Sequence, residues 1–202
     1  MNFLAHIYLS GDNDEIKVGN FVADWIKGQD FKRYSPEIQK GILLHRSIDS
    51  FTDNHPTIRK SKSRLSNNYG KYAGIIIDIF YDHFLASNWN TFSKTPLPVY
   101  AQEVYRLLEK YIDSFPLGIR EFIPRFMERR WMESYATVTG IQNVLAGMSR
   151  HTSLPDHTIQ AIEILNQYHD DFKVEFFDYF PQLIHYVEDK FEIVIENQPT
   201  NQ

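Results

Sequence analysis

Histidines and aspartates recur at helical intervals in two stretches of the chain that are otherwise largely apolar. His45 and Asp49 stand four residues apart, and so do Asp78 and Asp82. Residues four apart share one face of an α-helix. If the two helices pack together, these four side chains converge. Because the chain contains no cysteine, this set of imidazoles and carboxylates indicates a site for a hard or borderline divalent metal ion.

Simpler explanations of the same residues stay open. A buried histidine or aspartate is most often a structural group that hydrogen-bonds its neighbours. His45 and Asp49 could also form only an i,i+4 pair on the helix surface. His83 directly follows Asp82 and is rotated by ~100° around the helix. We therefore expect His83 to face a neighbouring helix or the edge of the site.

Two further polar residues could join this site from the first part of the chain. Asp24 lies in the stretch VGNFVADWIKG, among apolar and aromatic residues. His6 lies between apolar residues in MNFLAHIYL. Asp24 could equally be a surface aspartate, and His6 could be a core histidine bonded to the backbone.

Helices are the elements that must position these residues. Apolar residues recur at intervals of three and four along almost the whole chain, which predicts an all-α fold, a single-domain helical bundle. The predicted helices cover roughly residues 3–9, 14–28, 36–53, 56–67, 69–87, the segment from the break at 95–98 to 111, 116–134, 139–150, 154–169 and 172–195. Prolines predict a possible bend at Pro124 and a possible break at Pro181. We expect one catalytic domain over residues 1–196 and a disordered tail at 197–202.

Composition and charge limit the classes of partner. The chain has 202 residues, 43% hydrophobic content and a net charge of −5. An acidic balance argues against nucleic-acid binding by bulk charge. No run approaches the ~20 apolar residues that span a bilayer, and the start of the sequence does not resemble a signal peptide. The sequence therefore predicts a cytoplasmic protein with neither a membrane nor a nucleic acid as partner.

Four blocks within residues 1–89 resemble the acyl carrier protein phosphodiesterases, also called ACP hydrolases. The blocks read MNFLAH, GNFVADWIKG, GILLHRSIDSFTDNHP and DIFYDHFLASNW. That family looks like a divergent branch of the all-helical His-Asp (HD) metal-dependent phosphohydrolases. The resemblance implies hydrolysis of the phosphodiester between 4′-phosphopantetheine and a serine of holo acyl carrier protein. It also implies a divalent metal, typically Mn²⁺, with Mg²⁺ as an alternative.

The resemblance leaves the ligands to be assigned from the helical faces, because the usual order of His, then His-Asp, then Asp is absent. The dipeptide is reversed here, as Asp82-His83. The predicted metal ligands are Asp24, His45, Asp49, Asp78, Asp82 and His83. The predicted catalytic residues are Asp24, His45, Asp82 and His6. Within these sets, Asp49 and Asp78 are either ligands or groups that orient a ligating histidine. His6 would complete the pocket or carry a proton.

Basic residues provide candidate contacts to the substrate. Arg46, through its bidentate guanidinium, and Lys27 are predicted to bind phosphate. The run RKSKSR at 59–64 contains no acid and could steer an acidic carrier protein, as could a second group formed by Arg125, Arg129 and Arg130. The predicted substrate-binding residues of the run are Arg59, Lys60 and Arg64. Each of these could instead only solvate a helix face.

Two other functions fit the same residues. A metal phosphohydrolase of a small nucleotide or phosphoester would use the same ligands without the basic run. A non-enzymatic helical interaction protein would use the buried acids for structure alone. The sequence leaves the oligomeric state open.

Overall fold

Helices account for the regular structure of this chain. The computed structural model describes residues 1–195, apart from the side chain of His151. Within this range the chain forms twelve α-helices joined by short 3-10 turns, and no β-strand. The helices are α1 (Phe3–Tyr8), α2 (Asp14–Val22), α3 (Pro36–Asn54), α4 (Pro56–Ser63), α5 (Ser66–Tyr69), α6 (Ala73–Ser87), α7 (Leu97–Tyr111), α8 (Leu117–Glu128), α9 (Trp131–Ser134), α10 (Val138–His151), α11 (Thr158–Gln167) and α12 (His169–Phe191).

The predicted all-α class is confirmed by this arrangement. Likeness to the HD domain and a domain boundary at residue 196 stay predictions. The tail predicted at 197–202 lies outside the described residues. Among the helices of residues 1–195, none combines the length and the apolar character that a membrane crossing requires.

Helix α6 forms the centre of the bundle because almost its whole surface is apolar. Its buried residues include Ile76, Ile77 and Ile79, which point in different directions around the helix axis. A helix that is apolar all round belongs in the interior. Helix α6 accordingly packs against α1, α4, α10 and α12. The polar residues of α6 are therefore carried into the protein, and Asp82 is completely buried.

Helices α2 and α3 pack with their backbones in direct contact. Glycines make this approach possible, because a Cβ on Gly19 or on Gly41 would collide with a backbone carbonyl of the facing helix. Asn20 follows Gly19 on α2, and His45 lies one turn beyond Gly41 on α3. The close packing therefore brings the Asn20 amide to the His45 imidazole.

Helix α3 begins where the sequence predicts it, and α2 ends earlier than predicted. The Ser35 hydroxyl accepts a hydrogen bond from the Ile38 amide, and Pro36 occupies the first turn. Helix α2 was expected to reach residue 28, but the chain tightens into a 3-10 turn at Ala23–Trp25. The Arg46 guanidinium of α3 binds the carbonyl oxygens of Ile26 and Gly28, in the segment that follows this turn.

Two expectations about helix breaks are wrong. The helix predicted at 116–134 is divided into α8 and α9, because Arg130 adopts a left-handed conformation with φ of 47°. Helix α12, in contrast, continues through Pro181. Pro181 is exposed, while Phe180 before it and Leu183 after it are fully buried. Packing on both sides of the proline holds the helix together.

Candidate metal centre

Helices α1 and α3 bring two histidines and an aspartate together. The His6 Nε2 atom lies 3.3 Å from Asp49 Oδ1, and the His45 Nε2 atom lies 3.2 Å from Asp49 Oδ2. The two imidazole rings stack with their centroids 4.0 Å apart. One ligand atom from each residue lies within 4.8 Å of the other two. These three residues, named here the His6–His45–Asp49 cluster, are close enough to bind one ion.

Asp24 approaches the same cluster from the 3-10 turn that follows α2. Its Oδ1 atom lies 3.3 Å from His45 Nε2. The Asp24 side chain is 69% exposed and that of Asp49 is 44% exposed, whereas both imidazoles are buried. The imidazoles therefore form the floor of the site, and the two carboxylates form its opening.

Asn20 fixes the orientation of both imidazoles. Its Nδ2 atom donates to the His6 carbonyl oxygen at 2.7 Å and to Ser10 Oγ at 3.0 Å. The side-chain oxygen of Asn20 must therefore point the other way, and it lies 2.9 Å from His6 Nδ1 and 3.1 Å from His45 Nδ1. Since this oxygen can only accept, both Nδ1 atoms carry a hydrogen.

The Nε2 atoms are consequently the free acceptors of both rings when the imidazoles are neutral. Each one faces a carboxylate oxygen at 3.2 Å or 3.3 Å. Two acceptors at such a distance repel each other unless a proton or a metal ion lies between them. The donors of the cluster are the imidazole nitrogens and carboxylate oxygens that borderline divalent ions prefer. The site therefore fits a metal ion on its own geometry.

The charges of the cluster follow from burial and mutual contact. Burial, assisted by the nearby His45, lowers the pKa of His6 to about 4. Burial also disfavours the charged form of His45, but Asp24 and Asp49 outweigh it and raise the pKa of His45 to about 9. Hydrogen bonding to His45 lowers the pKa of Asp24. Burial would raise the pKa of Asp49, yet its bonds to both histidines lower it. In the metal-free protein, His45 thus holds the proton that an ion would replace.

A cleft of about 440 Å³ opens beside the cluster. His6, His45, Asp49 and Asp24 all line it. Lys62 of α4 and Lys71 of the turn before α6 line it as well and supply positive charge. The cluster is therefore open to a ligand rather than sealed in the core.

Asp78 also lines the cleft, but it binds the start of the chain. Its Oδ1 atom lies 2.9 Å from the Met1 amino group, and the Asp78 side chain is 28% exposed. It is not one of the three residues that approach one another closely enough to share an ion. Its role as a ligand stays a prediction.

Asp82 and His83 are not brought to the cluster. The two Asp82 oxygens accept hydrogen bonds from the backbone amides of Asn2, at 3.2 Å, and Leu4, at 2.9 Å. The His83 Nδ1 atom donates to the Tyr135 carbonyl oxygen at 2.7 Å. Burial raises the pKa of Asp82 to about 7 and lowers that of His83. Metal ligation by these two residues stays a prediction. Asp82 has backbone partners because the start of α1 packs against it, and His83 Nδ1 has one in Tyr135, which directly follows α9.

The predicted substrate-binding cations lie outside the lining of the cleft. Arg46 binds the backbone carbonyls after Asp24, and Lys27 Nζ lies 2.6 Å from the Asp24 carbonyl oxygen. Arg64 forms a bidentate pair with the buried Glu175, at 2.8 Å for each contact, and Lys60 lies 3.1 Å from the same carboxylate. Arg59 is exposed. Their substrate contacts stay predictions.

Three site residues were missed or underrated by reasoning from the sequence. Asn20 and Lys62 were not selected, and His6 was expected to complete the pocket rather than to lie within ligand distance. A signal existed for Asn20, since it is a polar residue among apolar ones on α2 and is fully buried. No comparable signal marked Lys62 within a run of basic residues.

The fold and the cluster together define an all-helical protein with a histidine–carboxylate site suited to a divalent metal. A family model described as acyl carrier protein phosphodiesterase matches residues 1–183. Several relatives carry that name. The one from Photorhabdus laumondii is 31% identical over 94% of this chain and 96% of its own length. The one from Serratia proteamaculans is 31% identical over 94% of this chain and 99% of its own length.

The chain therefore belongs to the acyl carrier protein phosphodiesterase family, and the resemblance seen in the sequence is confirmed. A further relative from Yersinia enterocolitica, of the same name, is 29% identical over 94% of this chain. No solved structure matches the chain.

Proposed function

We propose that this protein is a metal-dependent phosphodiesterase that removes 4′-phosphopantetheine from the serine of holo acyl carrier protein. Membership of the family supports the reaction and the substrate. The observation that carries the proposal is the pair of imidazole Nε2 atoms aimed at carboxylates beside an open cleft. Apo acyl carrier protein and free 4′-phosphopantetheine are the products.

The residues proposed to hold the divalent ion are His6, His45, Asp49 and Asp24. Mn²⁺ is the ion that the family resemblance favours, and Mg²⁺ is the alternative; nitrogen and oxygen donors suit the former better. A bound ion of this kind lowers the pKa of a water molecule and neutralises charge on the phosphoryl oxygens.

The protein's own groups prepare the site for this chemistry. Asn20 holds both imidazoles with Nε2 toward the cleft, so the ligand geometry is set before the substrate arrives. Asp24 is the most exposed of the four proposed ligands and lies at the opening of the site. We propose that Asp24 also accepts the proton that the attacking water gives up.

The carrier protein is proposed to dock beside α4. Arg59 and Lys60 are exposed on this helix, which also contributes Lys62 to the cleft. An acidic partner is attracted by such a surface. Arg64, also predicted to bind the substrate, is paired with the buried Glu175 and supports the helix through it. Arg46 and Lys27, bound to carbonyls near Asp24, are proposed to position its turn.

Intact-mass spectrometry tests the proposed reaction. Purified protein is incubated with holo acyl carrier protein and Mn²⁺, and an Asp49→Asn variant serves as the matched inactive control. We expect the carrier protein to lose the mass of phosphopantetheine with the wild-type protein only. Absence of conversion with every divalent metal tested would contradict the proposal. Turnover of small phosphodiesters without turnover of the carrier protein would favour the small-molecule alternative.

A further inference from the structure

We propose that Lys62 binds the phosphate of the substrate in the metal cleft, and that Asp53 and Gly74 position it there. The inference rests on the proposed function and extends it, because it assigns a phosphate-binding side chain to the site. Lys62 is one of two lysines that line the cleft within residues 1–195. Its positive charge is complementary to the negative charge of a phosphodiester.

Asp53 places the Lys62 ammonium beside the cluster. Lys62 Nζ lies 2.8 Å from Asp53 Oδ1, and its side chain is only 26% exposed. Asp53 stands four residues after Asp49 on α3, so both project from the same helix face. One turn of helix separates them, about 6 Å along the axis. Asp49, Asp53 and Lys62 all line the cleft, so a phosphoryl group bound in it can face both the cluster and the Lys62 ammonium.

Gly74 leaves the space through which Lys62 reaches the cleft. A Cβ at this position of α6 would lie 3.2 Å from Lys62 Cε and 3.3 Å from its Nζ. Any side chain there would push against the end of the lysine. Glycine is a less favourable helix residue than alanine. The passage of Lys62 gives a reason for that residue at this point of the central helix.

The other cations near the site differ in their partners. Lys60 and Arg64 contact Glu175, and Lys27 contacts a backbone carbonyl. Lys71 lines the cleft, with its Nζ atom 5.0 Å from the centroid of the Tyr72 ring. Lys62 is the lysine that is in the cleft and is also oriented by a carboxylate on the cluster's own helix.

The chemistry of an ammonium suits this task. Lys62 has three N–H donors, and one is directed to Asp53, which leaves two for phosphoryl oxygens. Charge-assisted hydrogen bonds of this kind are roughly twice as strong as neutral ones. They stabilise most where negative charge develops during phosphoryl transfer.

The test compares Lys62→Met with Lys110→Met, which makes the same change at an exposed position of α7. Three quantities are measured on the Mn²⁺-loaded protein: kcat and KM for holo carrier protein, binding of inorganic phosphate by calorimetry, and metal content. For Lys62→Met we expect kcat to fall ~10²-fold and phosphate affinity to fall at least ~10-fold. Metal content and melting temperature should stay unchanged. Lys110→Met should match the wild type, and Lys62→Arg should restore part of the activity.

Two outcomes would overturn the inference. If Lys62→Met raises KM while kcat and phosphate binding stay unchanged, Lys62 docks the carrier protein and does not bind phosphate. If the wild-type protein binds no phosphate, the site is not a phosphate site. Gly74→Val provides a second variant, expected to weaken phosphate binding with Lys62 intact. Failure of the proposed function is distinguishable, because holo carrier protein would then go unprocessed while phosphate binding still depended on Lys62.

Discussion

Two regions of this molecule contain the same residue types and use them differently. In the His6–His45–Asp49 cluster, imidazole acceptors face carboxylates beside an open cleft. In the Asp82–His83 segment, the carboxylate accepts from two backbone amides and the imidazole donates to a backbone carbonyl. In the first region, the repulsion between each Nε2 atom and the facing carboxylate is relieved only by a proton or a metal ion between them. In the second, both carboxylate oxygens and the imidazole Nδ1 already have backbone partners, so we expect a structural role there.

The largest effect should come from removing the carboxylate that the two histidines share. We expect Asp49→Ala to lower kcat/KM for holo carrier protein by at least ~10³-fold, a loss of ~4 kcal/mol of transition-state stabilisation. The reason is that both Nε2 atoms lose the partner with which they would hold an ion. Metal content measured by mass spectrometry should fall in parallel.

Asp189 offers a matched control for that variant. His185 and Asp189 form the same i,i+4 pair on the surface of α12, with 3.2 Å between Nε2 and Oδ2. Asp189→Ala should leave activity and metal content unchanged. If Asp49→Ala behaves like Asp189→Ala, the cluster is not a metal site.

The second prediction concerns the stability that the Asp82–His83 segment provides. Asp82→Ala leaves two buried backbone N–H groups of the α1 start without an acceptor, so we expect the free energy of unfolding to fall by ~3 kcal/mol. Urea denaturation measures this loss. The folded protein should still bind Mn²⁺. Loss of metal binding at unchanged stability would instead make Asp82 a ligand.

A smaller effect is expected at Asn20, which touches the histidines and not the ion. Asn20→Leu removes the acceptor that orients both Nδ1–H groups, so we expect Mn²⁺ affinity to fall by ~10–100-fold. Calorimetric titration of the metal-free protein measures the affinity. An affinity equal to that of the wild type would show that the tautomers are fixed by something else.

The smallest effect is the pH dependence of the free energy of unfolding of the metal-free protein. The pKa of His45 is raised in the folded protein, to about 9. The imidazolium therefore stabilises the metal-free fold below pH 6.5, and that stability is lost as pH rises toward 9. Because the carboxylate partners are partly exposed, we expect a loss of only ~1 kcal/mol. Denaturant midpoints of chelator-treated protein should show it. Those of His45→Gln should show a smaller loss, because the buried Met1 amino group, whose pKa is also raised, still titrates. A pH-independent midpoint between 6.5 and 9 would contradict the charge assigned to His45.

The sequence predicts a feature of the fold best when the residues that determine it lie close together in the chain. Helix α3 was predicted well because its cap, its first-turn proline and its apolar spacing all lie within the helix. The early end of α2 was not predicted, because Arg46 contributes from α3 to bind the carbonyls after it. The break at Arg130 depends on one left-handed residue that is not a glycine.

The site residues likewise divide into contacts that follow from local spacing and contacts that depend on distant helices. The contact between His45 and Asp49 follows from their spacing on one helix. Asp78 and Asp82 have the same spacing, yet the partners of Asp82 lie 78 and 80 residues away. Spacing places side chains on a face, but it does not identify the helix that packs there. This is why the faces of α3 and α6 could be predicted while the cluster on α1 and α3 could not.

The most direct test of the central claim is a crystal structure of the Mn²⁺-loaded protein, with anomalous scattering recorded at the manganese absorption edge. We predict anomalous density bounded by the Nε2 atoms of His6 and His45 and by the Asp49 carboxylate, with Asp24 at its edge. Density beside Asp82 and His83 instead, or none at the cluster in a protein that turns over holo acyl carrier protein, would contradict it.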